Sequence, residues 1–158
     1  MAEFVTDRTQ YNVELLNRLR KKTWSSMTTS EQNQWYGEAA KGAYNYSDLN
    51  RVEGAVKEIA SKQGLSLTTK TNWHLWSIPT QSDMERYLSN VVAVVEQCGK
   101  KNDISKFPKL PTTMNGLTYQ TANNIEECLY RVYSIEFEGY DPASEAVLGK
   151  IVLGKSTL

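Results

Sequence analysis

Cysteine and histidine are scarce in this sequence, and their spacing does not match the common metal and disulfide frameworks. The two cysteines, Cys98 and Cys128, lie thirty residues apart without a CxxC pair, and His74 is the one histidine. A structural zinc site needs four such ligands, and a disulfide framework needs several cysteines in a small secreted chain. We therefore expect no metal site and no cofactor, and we expect both thiols to be buried in helices.

Neither charge sign is in excess, because eighteen Lys and Arg residues balance eighteen Asp and Glu residues. No block of five or more like charges occurs, and the densest basic positions are the segment from Arg18 to Lys22 and the pair Lys100 and Lys101. Nucleic-acid binders usually carry a basic stripe that neutralises several phosphates. Solvated ends of helices account for these positions more simply, so we predict no binding to nucleic acid.

Long apolar runs are also missing. The residues from Met1 to Arg8 do not place a basic segment before an apolar one, and no run of about 18 apolar residues follows them. The sequence therefore predicts neither a secretion signal nor contact with a membrane. We expect the chain to stay in the cytosol of the cell that makes it unless it leaves inside a larger assembly.

The usual catalytic motifs are absent as well. Neither GxGxxG, HExxH nor GxSxG occurs, and His74 has no evident acidic or thiol partner. Residues Gly149–Ser156 fit the phosphate-loop pattern GxxxxGK[ST], but the two residues after Ser156 are too few for the helix that such a loop requires. Glu126 and Glu127 are helix neighbours that do not face each other. We predict no catalytic residues and no enzymatic activity.

The sequence does contain strong helical periodicity. Three segments place apolar residues at offsets of three and four, which is the spacing of one helical face. The first follows Ser47 as its N-cap and ends at Gly64, the second follows Thr80 and ends at Gly99, and the third follows Thr118. Their predicted buried residues are Leu49, Val52, Val56 and Ile59; Met84, Tyr87, Leu88, Val91, Val95 and Cys98; and Ala122, Ile125, Leu129 and Val132.

Two shorter helices are predicted before these three. The first begins near Asp7, where Asp7 and Gln10 have capping-box spacing, and the second opens at the box formed by Thr28 and Glu31 and stops at Gly42. Later, residues 65–71 alternate and then become rich in Thr, which is typical of a short strand or an extended linker. Residues 99–116 contain two prolines and predict an extended connection that wraps the helices.

The end of the chain has a different period. Ile135 and Phe137 alternate with acidic residues, which is a strand-like pattern, and residues 146–153 are apolar and partly β-branched. These two segments either pair with each other as a hairpin or offer an open strand edge to a neighbouring chain. The predicted interface residues are Ile135, Phe137, Val147, Leu148, Ile151, Val152 and Leu153.

The expected fold is therefore mainly α, with a small helical bundle and a short β-forming C-terminal segment. A chain of 158 residues is long enough for one ordinary core. We assign residues 6–133 to the helical domain and residues 134–158 to a C-terminal docking segment.

Four aromatic residues suggest a second use of the surface. Trp35, Tyr36, Trp73 and Trp76 are able to stack on a sugar ring, and the same residue types also anchor small cores and protein interfaces. A core or interface role is the more common one. Sugar stacking stays open as an alternative.

Several collinear blocks carry a resemblance to a known group of proteins. They are Gly42–Glu53 (GAYNYSDLNRVE), Thr71–Trp73, Ile78–Thr80, Met84–Leu88, Gly116–Tyr119, Ala122–Asn123 and Ile125–Glu126. In these blocks the chain resembles small virion proteins encoded beside the tail genes of phages and prophages of Gram-positive bacteria. The blocks span much of the chain from Gly42 to Glu126, and the residues after Tyr133 match least well.

The resemblance implies a non-enzymatic tail, baseplate or fibre-associated component of a virion, assembled in the host cytoplasm and present in several copies. Its implied partners are other virion tail proteins. Two alternatives remain open: a carbohydrate-binding module of a phage tail that docks on the host surface, and a small regulator that binds a host protein or nucleic acid. The neutral net charge gives the nucleic-acid form of the regulator no support.

Overall fold

The computed structural model describes residues 2–140, which form helices joined by irregular connections, with no strand among them. The predicted mainly helical fold is therefore confirmed. The helices, in chain order, are α1 (Gln10–Leu19), α2 (Thr29–Tyr36), α3 (Glu38–Lys41), α4 (Tyr46–Gln63), α5 (Gln81–Gly99) and α6 (Tyr119–Glu138), and a short 3₁₀ helix covers Trp24–Ser26.

The three long helices α4, α5 and α6 pack together and run parallel. Contacts near the N-terminal halves pair Glu53 of α4 with Arg86 of α5, and Arg51 of α4 with Glu126 of α6. Toward the C-terminal ends, Gln63 of α4 contacts Val94 of α5 and Glu136 of α6. Each connection must therefore return along the bundle. The connections over residues 64–80 and 100–118 manage this because an extended residue advances about 3.3 Å and a helical residue about 1.5 Å.

The main core lies between these three helices. The predicted apolar faces of α4 and α6 are fully buried, and α5 buries the predicted residues except Met84, which is half-buried. Fully burying one such side chain contributes about 2 kcal/mol before the ordering entropy is subtracted. The innermost residues of the core, at most 1 % exposed, include Val52, Val56, Ile59, Tyr87, Val91, Val94, Ile125, Leu129 and Val132.

A second, smaller cluster joins α1, α2 and α3. Leu15 and Leu19 of α1 pack with Met27 and Ala39, and Trp35 lies against the edge of this cluster. Just after α3 the backbone passes directly over α1, because a Cβ at Gly42 would collide with the backbone of Asn12. Only glycine permits this approach.

Three of the predicted helix caps are confirmed and three predicted ends differ. Thr28, Thr80 and Thr118 each accept the backbone N–H three residues on. Helix α1 starts at Gln10, later than predicted, because Thr9 forms the capping box with Asn12. Helix α4 starts at Tyr46 because Asn45 caps it instead of the predicted Ser47. The helix that was predicted to run from Thr28 to Gly42 ends at Tyr36 as α2, because Gly37 breaks the helical backbone before α3.

The strand predicted at Ile135 and Phe137 is wrong, because α6 continues without a break to Glu138. Ile135 packs against the main core, and the ring of Phe137 stacks on that of Tyr133, one helical turn earlier, at a centroid distance of 4.5 Å. Four alternating residues are too few to override a helix already in progress. The predicted domain boundary between residues 133 and 134 falls inside α6, and Gly139 ends this helix in the left-handed conformation.

Candidate functional site

Two of the long helices are tied at their N-terminal ends by a buried ionic network. Glu126 of α6 is fully buried and accepts hydrogen bonds from Arg8 at 2.7 Å and from Arg51 at 2.7 and 2.9 Å. Asp48 of α4 accepts from the same Arg8 nitrogen at 2.8 Å and also pairs with Arg51. Two cations thus balance two carboxylates, which is the condition under which buried charges are tolerated.

Burial by itself lowers the pKa of Arg51, but hydrogen bonds and charge from Glu126 and Asp48 outweigh that effect and raise the pKa above its usual value. Beside the network, the hydroxyl groups of Tyr44 and Tyr87 form a short hydrogen bond. Burial raises the pKa of both phenols, so neither is ionised at neutral pH. The network holds the N-terminal segment, α4 and α6 together, and its charged groups are paired with one another, with Arg51 partly exposed.

A second set of polar contacts fixes the connection between α4 and α5. The indole N–H of Trp73 donates to Glu53 at 3.2 Å, and the backbone N–H and carbonyl of Trp73 both bond the side chain of Asn50 at 2.8 Å. Arg86 neutralises Glu53 through two hydrogen bonds, and Lys70 lies over the indole ring. Trp73 is therefore an anchor that determines where the following residues emerge.

The residues that follow Trp73 form the most exposed apolar feature of the described chain. Leu75 is 69 % exposed, Trp76 82 % and Ile78 88 %. A turn between His74 and Ser77 holds their backbone, with Ser77 N–H donating to the His74 carbonyl at 2.8 Å and His74 N–H donating to Ser77 Oγ at 3.0 Å. We call Leu75, Trp76 and Ile78 the apolar knob. Exposed aromatic and aliphatic side chains on an anchored turn are typical of protein-docking sites.

A groove of about 1050 Å³ begins where the knob ends. Helix α5 supplies one wall of the groove through Met84, Leu88 and Val92, which also belong to the main core or pack against it. The opposite wall is the connection before α6, which supplies Ile104, Phe107, Leu110, Pro111 and Met114. We call this space the α5 groove.

The structure separates the four aromatic residues proposed for sugar stacking. Trp73 is only 3 % exposed, so the stacking role predicted for it is wrong: both faces of its ring are covered. Trp35 is half-buried in the second cluster, while Tyr36, 75 % exposed, and Trp76 present their rings to solvent. Sequence alone does not distinguish Trp73 from Trp76, because a period cannot be assigned to a short irregular segment.

Of the predicted interface residues, only Ile135 and Phe137 lie in the described part of the chain. Both belong to α6, where Ile135 is half-buried and Phe137 remains 38 % exposed. Val147, Leu148, Ile151, Val152 and Leu153 lie outside the described residues, as does the phosphate-loop pattern at Gly149–Ser156.

The remaining reactive groups are placed as follows. Cys98 and Cys128 are free, buried in α5 and α6, and burial raises the pKa of Cys128 to about 12, which keeps its thiol protonated and unreactive. His74 is exposed on the turn that carries the knob. Within residues 2–140, no group of three or more His, Cys, Asp or Glu side chains is arranged to hold a metal ion. No helix in the same residues is long and apolar enough to span a membrane.

Comparison with protein-family models, with curated proteins and with solved structures finds no match to this chain. The described residues form a helical protein that presents an uncharged apolar knob beside a groove with apolar and polar walls. Sequence reasoning missed both the knob and the buried network. The network joins segments far apart along the chain, such as Arg8 and Glu126, and no local pattern links them. The knob lies in a short irregular segment, to which no period can be assigned.

Proposed function

We propose that this chain is a non-enzymatic structural component of a phage virion, associated with the tail, baseplate or fibre, and that it works by docking onto other virion proteins. The observation that carries the proposal is the apolar knob. Three large apolar side chains are held in water by an anchored turn, and this arrangement gains free energy only when a partner covers it.

The position of the resembling blocks supports the same proposal. Gly42–Glu53 includes the close approach at Gly42 and the network residues Asp48 and Arg51, and Ile78–Thr80 joins the knob to the cap of α5. The blocks therefore fall on residues that build the scaffold and present the knob. A resemblance concentrated on such residues fits a shared docking scaffold better than a shared chemistry.

The C-terminal residues remain part of the proposal as a segment that docks on a neighbouring subunit. Because α6 continues to Glu138, the informative truncation ends the chain after Tyr140. We expect this variant to keep helices α1 to α6 and to fail to enter particles. Unchanged incorporation of the truncated chain would contradict a docking role for residues 141–158.

The experiment that tests the proposed function is quantitative mass spectrometry of gradient-purified particles. We expect this chain to co-purify with the particles in a fixed ratio to the other tail proteins, above one copy per particle. A matched preparation from a strain lacking the gene supplies the background. Complete loss of the chain on purification, with normal particles in the deletion strain, would contradict a structural role.

A carbohydrate-binding module is the second candidate, and the exposed indole of Trp76 is the observation that favours it. An exposed aromatic face can stack on the apolar face of a sugar ring. This hypothesis predicts that cell-wall polysaccharide changes the tryptophan fluorescence of the protein, and that Trp76→Ser removes the change while Tyr11→Ser, at an exposed aromatic of α1, leaves it. A spectrum unaffected by polysaccharide would remove this candidate.

A further inference from the structure

The apolar knob leads directly into the α5 groove along the chain. Ile78 is followed by Pro79, Thr80 and Gln81, and these three residues line the groove. From Gln81 to Glu96, the lining of the groove extends along most of α5. A projecting apolar feature thus adjoins a concave feature of the surface.

The chemistry of the two features is complementary. Residues 75–80 carry no charged side chain, so burying the knob removes no ion from water. The walls of the groove combine apolar and polar residues: Met84, Leu88 and Val92 supply an apolar stripe, and Glu85 and Glu96 line it alongside. Methionine and aliphatic walls adapt to an aromatic side chain of irregular shape. The groove therefore offers the kind of surface that Trp76 and Ile78 require.

We propose that the partner of this face is a second copy of the chain, with the knob of each copy seated in the α5 groove of the other. Because the knob adjoins the groove, a two-fold axis can bring both contacts together at once, as an isologous interface demands. The contact closes on itself, so it produces a dimer and not a fibre.

The area available is sufficient for a stable dimer. The three side chains of the knob expose roughly 500 Å² together, taking about 150–250 Å² for each large side chain and its exposed fraction. The walls of the groove add surface on the other side of each contact. The total of two reciprocal contacts exceeds the roughly 1,000 Å² that separates specific interfaces from incidental ones.

The inference deepens the proposed function, since a component present in several copies needs contacts between its copies, but it is tested on the purified full-length chain alone. Sedimentation equilibrium between roughly 1 and 200 µM is expected to show a monomer–dimer equilibrium. Trp76→Ser is expected to raise the dissociation constant by about tenfold or more, as the loss of a central anchor does. Tyr36→Ser removes an equally exposed aromatic from α2 and is expected to have no effect.

The groove is tested from its own side by Ser89→Arg. Ser89 is exposed on α5 and lines the groove, so arginine there blocks it without removing a core side chain. We expect the same loss of dimer as for Trp76→Ser. Ser61→Arg, at an exposed position of α4 outside the lining of the groove, is the matched control and should dimerise normally.

Mixing the two variants gives the most specific result. Trp76→Ser retains an open groove and Ser89→Arg retains an intact knob, so a mixed pair forms one of the two contacts whereas neither variant forms any with itself. We therefore expect the equimolar mixture to associate more strongly than either variant alone. A mixture no stronger than its components would overturn the reciprocal arrangement.

A chain that stays monomeric up to about 200 µM, or a dimer that neither variant weakens, would overturn the inference. The proposed function would be unaffected, because presence in purified particles is measured independently. Conversely, a dimer disrupted by both variants together with absence from particles would reject the virion role and leave the interface established.

Discussion

Glu126 is the side chain on which the architecture depends most. It is fully buried, accepts from Arg8 and Arg51, and also accepts the backbone N–H of Val5 at 2.7 Å. The sequence placed it beside Glu127 as one of two similar helix acids. The structure distinguishes them, because Glu127 is half-buried and pairs with Arg131 one turn along the same helix.

Removing the charge of Glu126 is therefore expected to destabilise the protein strongly. Glu126→Gln leaves the buried guanidinium group of Arg8 and the partly buried one of Arg51 with one carboxylate, and breaking such a network costs about 3–5 kcal/mol. The free energy of unfolding, measured by urea titration, should fall by that amount. Glu127→Gln is the control, with an expected change of about 0.5 kcal/mol because a half-exposed i,i+4 pair contributes little. Equal effects of the two substitutions would show that the network is not a single buried unit.

The buried phenols predict how stability depends on pH. Burial raises the folded-state pKa of Tyr44 and Tyr87, so their contribution is fully present below the unfolded pKa of about 10 and is lost as the pH rises above it. Burial raises the pKa of Cys128 to about 12, which acts in the same direction above the unfolded thiol pKa. We expect the free energy of unfolding to fall between about pH 9 and about pH 11. The double substitution of Tyr44 and Tyr87 by phenylalanine should make this decline shallower, and an unchanged slope would contradict the assignment.

Helix ends show which parts of an element can be read from sequence. Thr28, Thr80 and Thr118 were predicted correctly because a cap and the residue that it bonds are only three positions apart. The end of α6 was misread because Ile135 and Phe137 alternate with acids over too short a distance to define a period. Tertiary contacts of Ile135 with the core favour the helix at this point, and such contacts cannot be predicted from the local sequence.

Two glycines in similar sequence surroundings are expected to respond to alanine with opposite signs. At Gly42 a Cβ collides with the backbone of Asn12, whereas at Gly54, inside α4, nothing lies within 4 Å of the added carbon. Gly54→Ala should stabilise the protein by about 0.5–1 kcal/mol through helix propensity. Gly42→Ala should destabilise it by more than about 1 kcal/mol because α1 must shift. Thermal unfolding of both variants checks the pair, and stabilisation by both would contradict the close approach.

The connection between α4 and α5 is expected to depend on Asn50. Its side chain makes both hydrogen bonds to the backbone of Trp73, so Asn50→Ala should cost about 1–3 kcal/mol. It should also speed amide hydrogen exchange in residues 73–79 while leaving the middle of α6 protected. Asn33→Ala, at an exposed position of α2, is the control. Uniform exchange across residues 64–80 in both variants would show that Trp73 does not hold the knob in place.

Three parallel helices form the core of the molecule, and the two long connections between them supply surface features that lie outside the core. One connection is anchored at Trp73 and presents the apolar knob, and the other walls the α5 groove. The helices could be predicted from periodicity, because the spacing of apolar residues within each helix shows which face is buried. The adjacency of the knob and the groove could not be predicted, because it depends on how the two connections pack against α5.

The location of this chain on particles is the most direct test of the virion role that we propose for it. Purified particles would be examined by negative-stain electron microscopy with a gold-labelled antibody against the chain, beside particles from a strain lacking the gene. We expect label at the tail, baseplate or fibres and none on the control particles. Unlabelled particles, with the protein found only in infected cells, would rule out a virion role and favour a regulator.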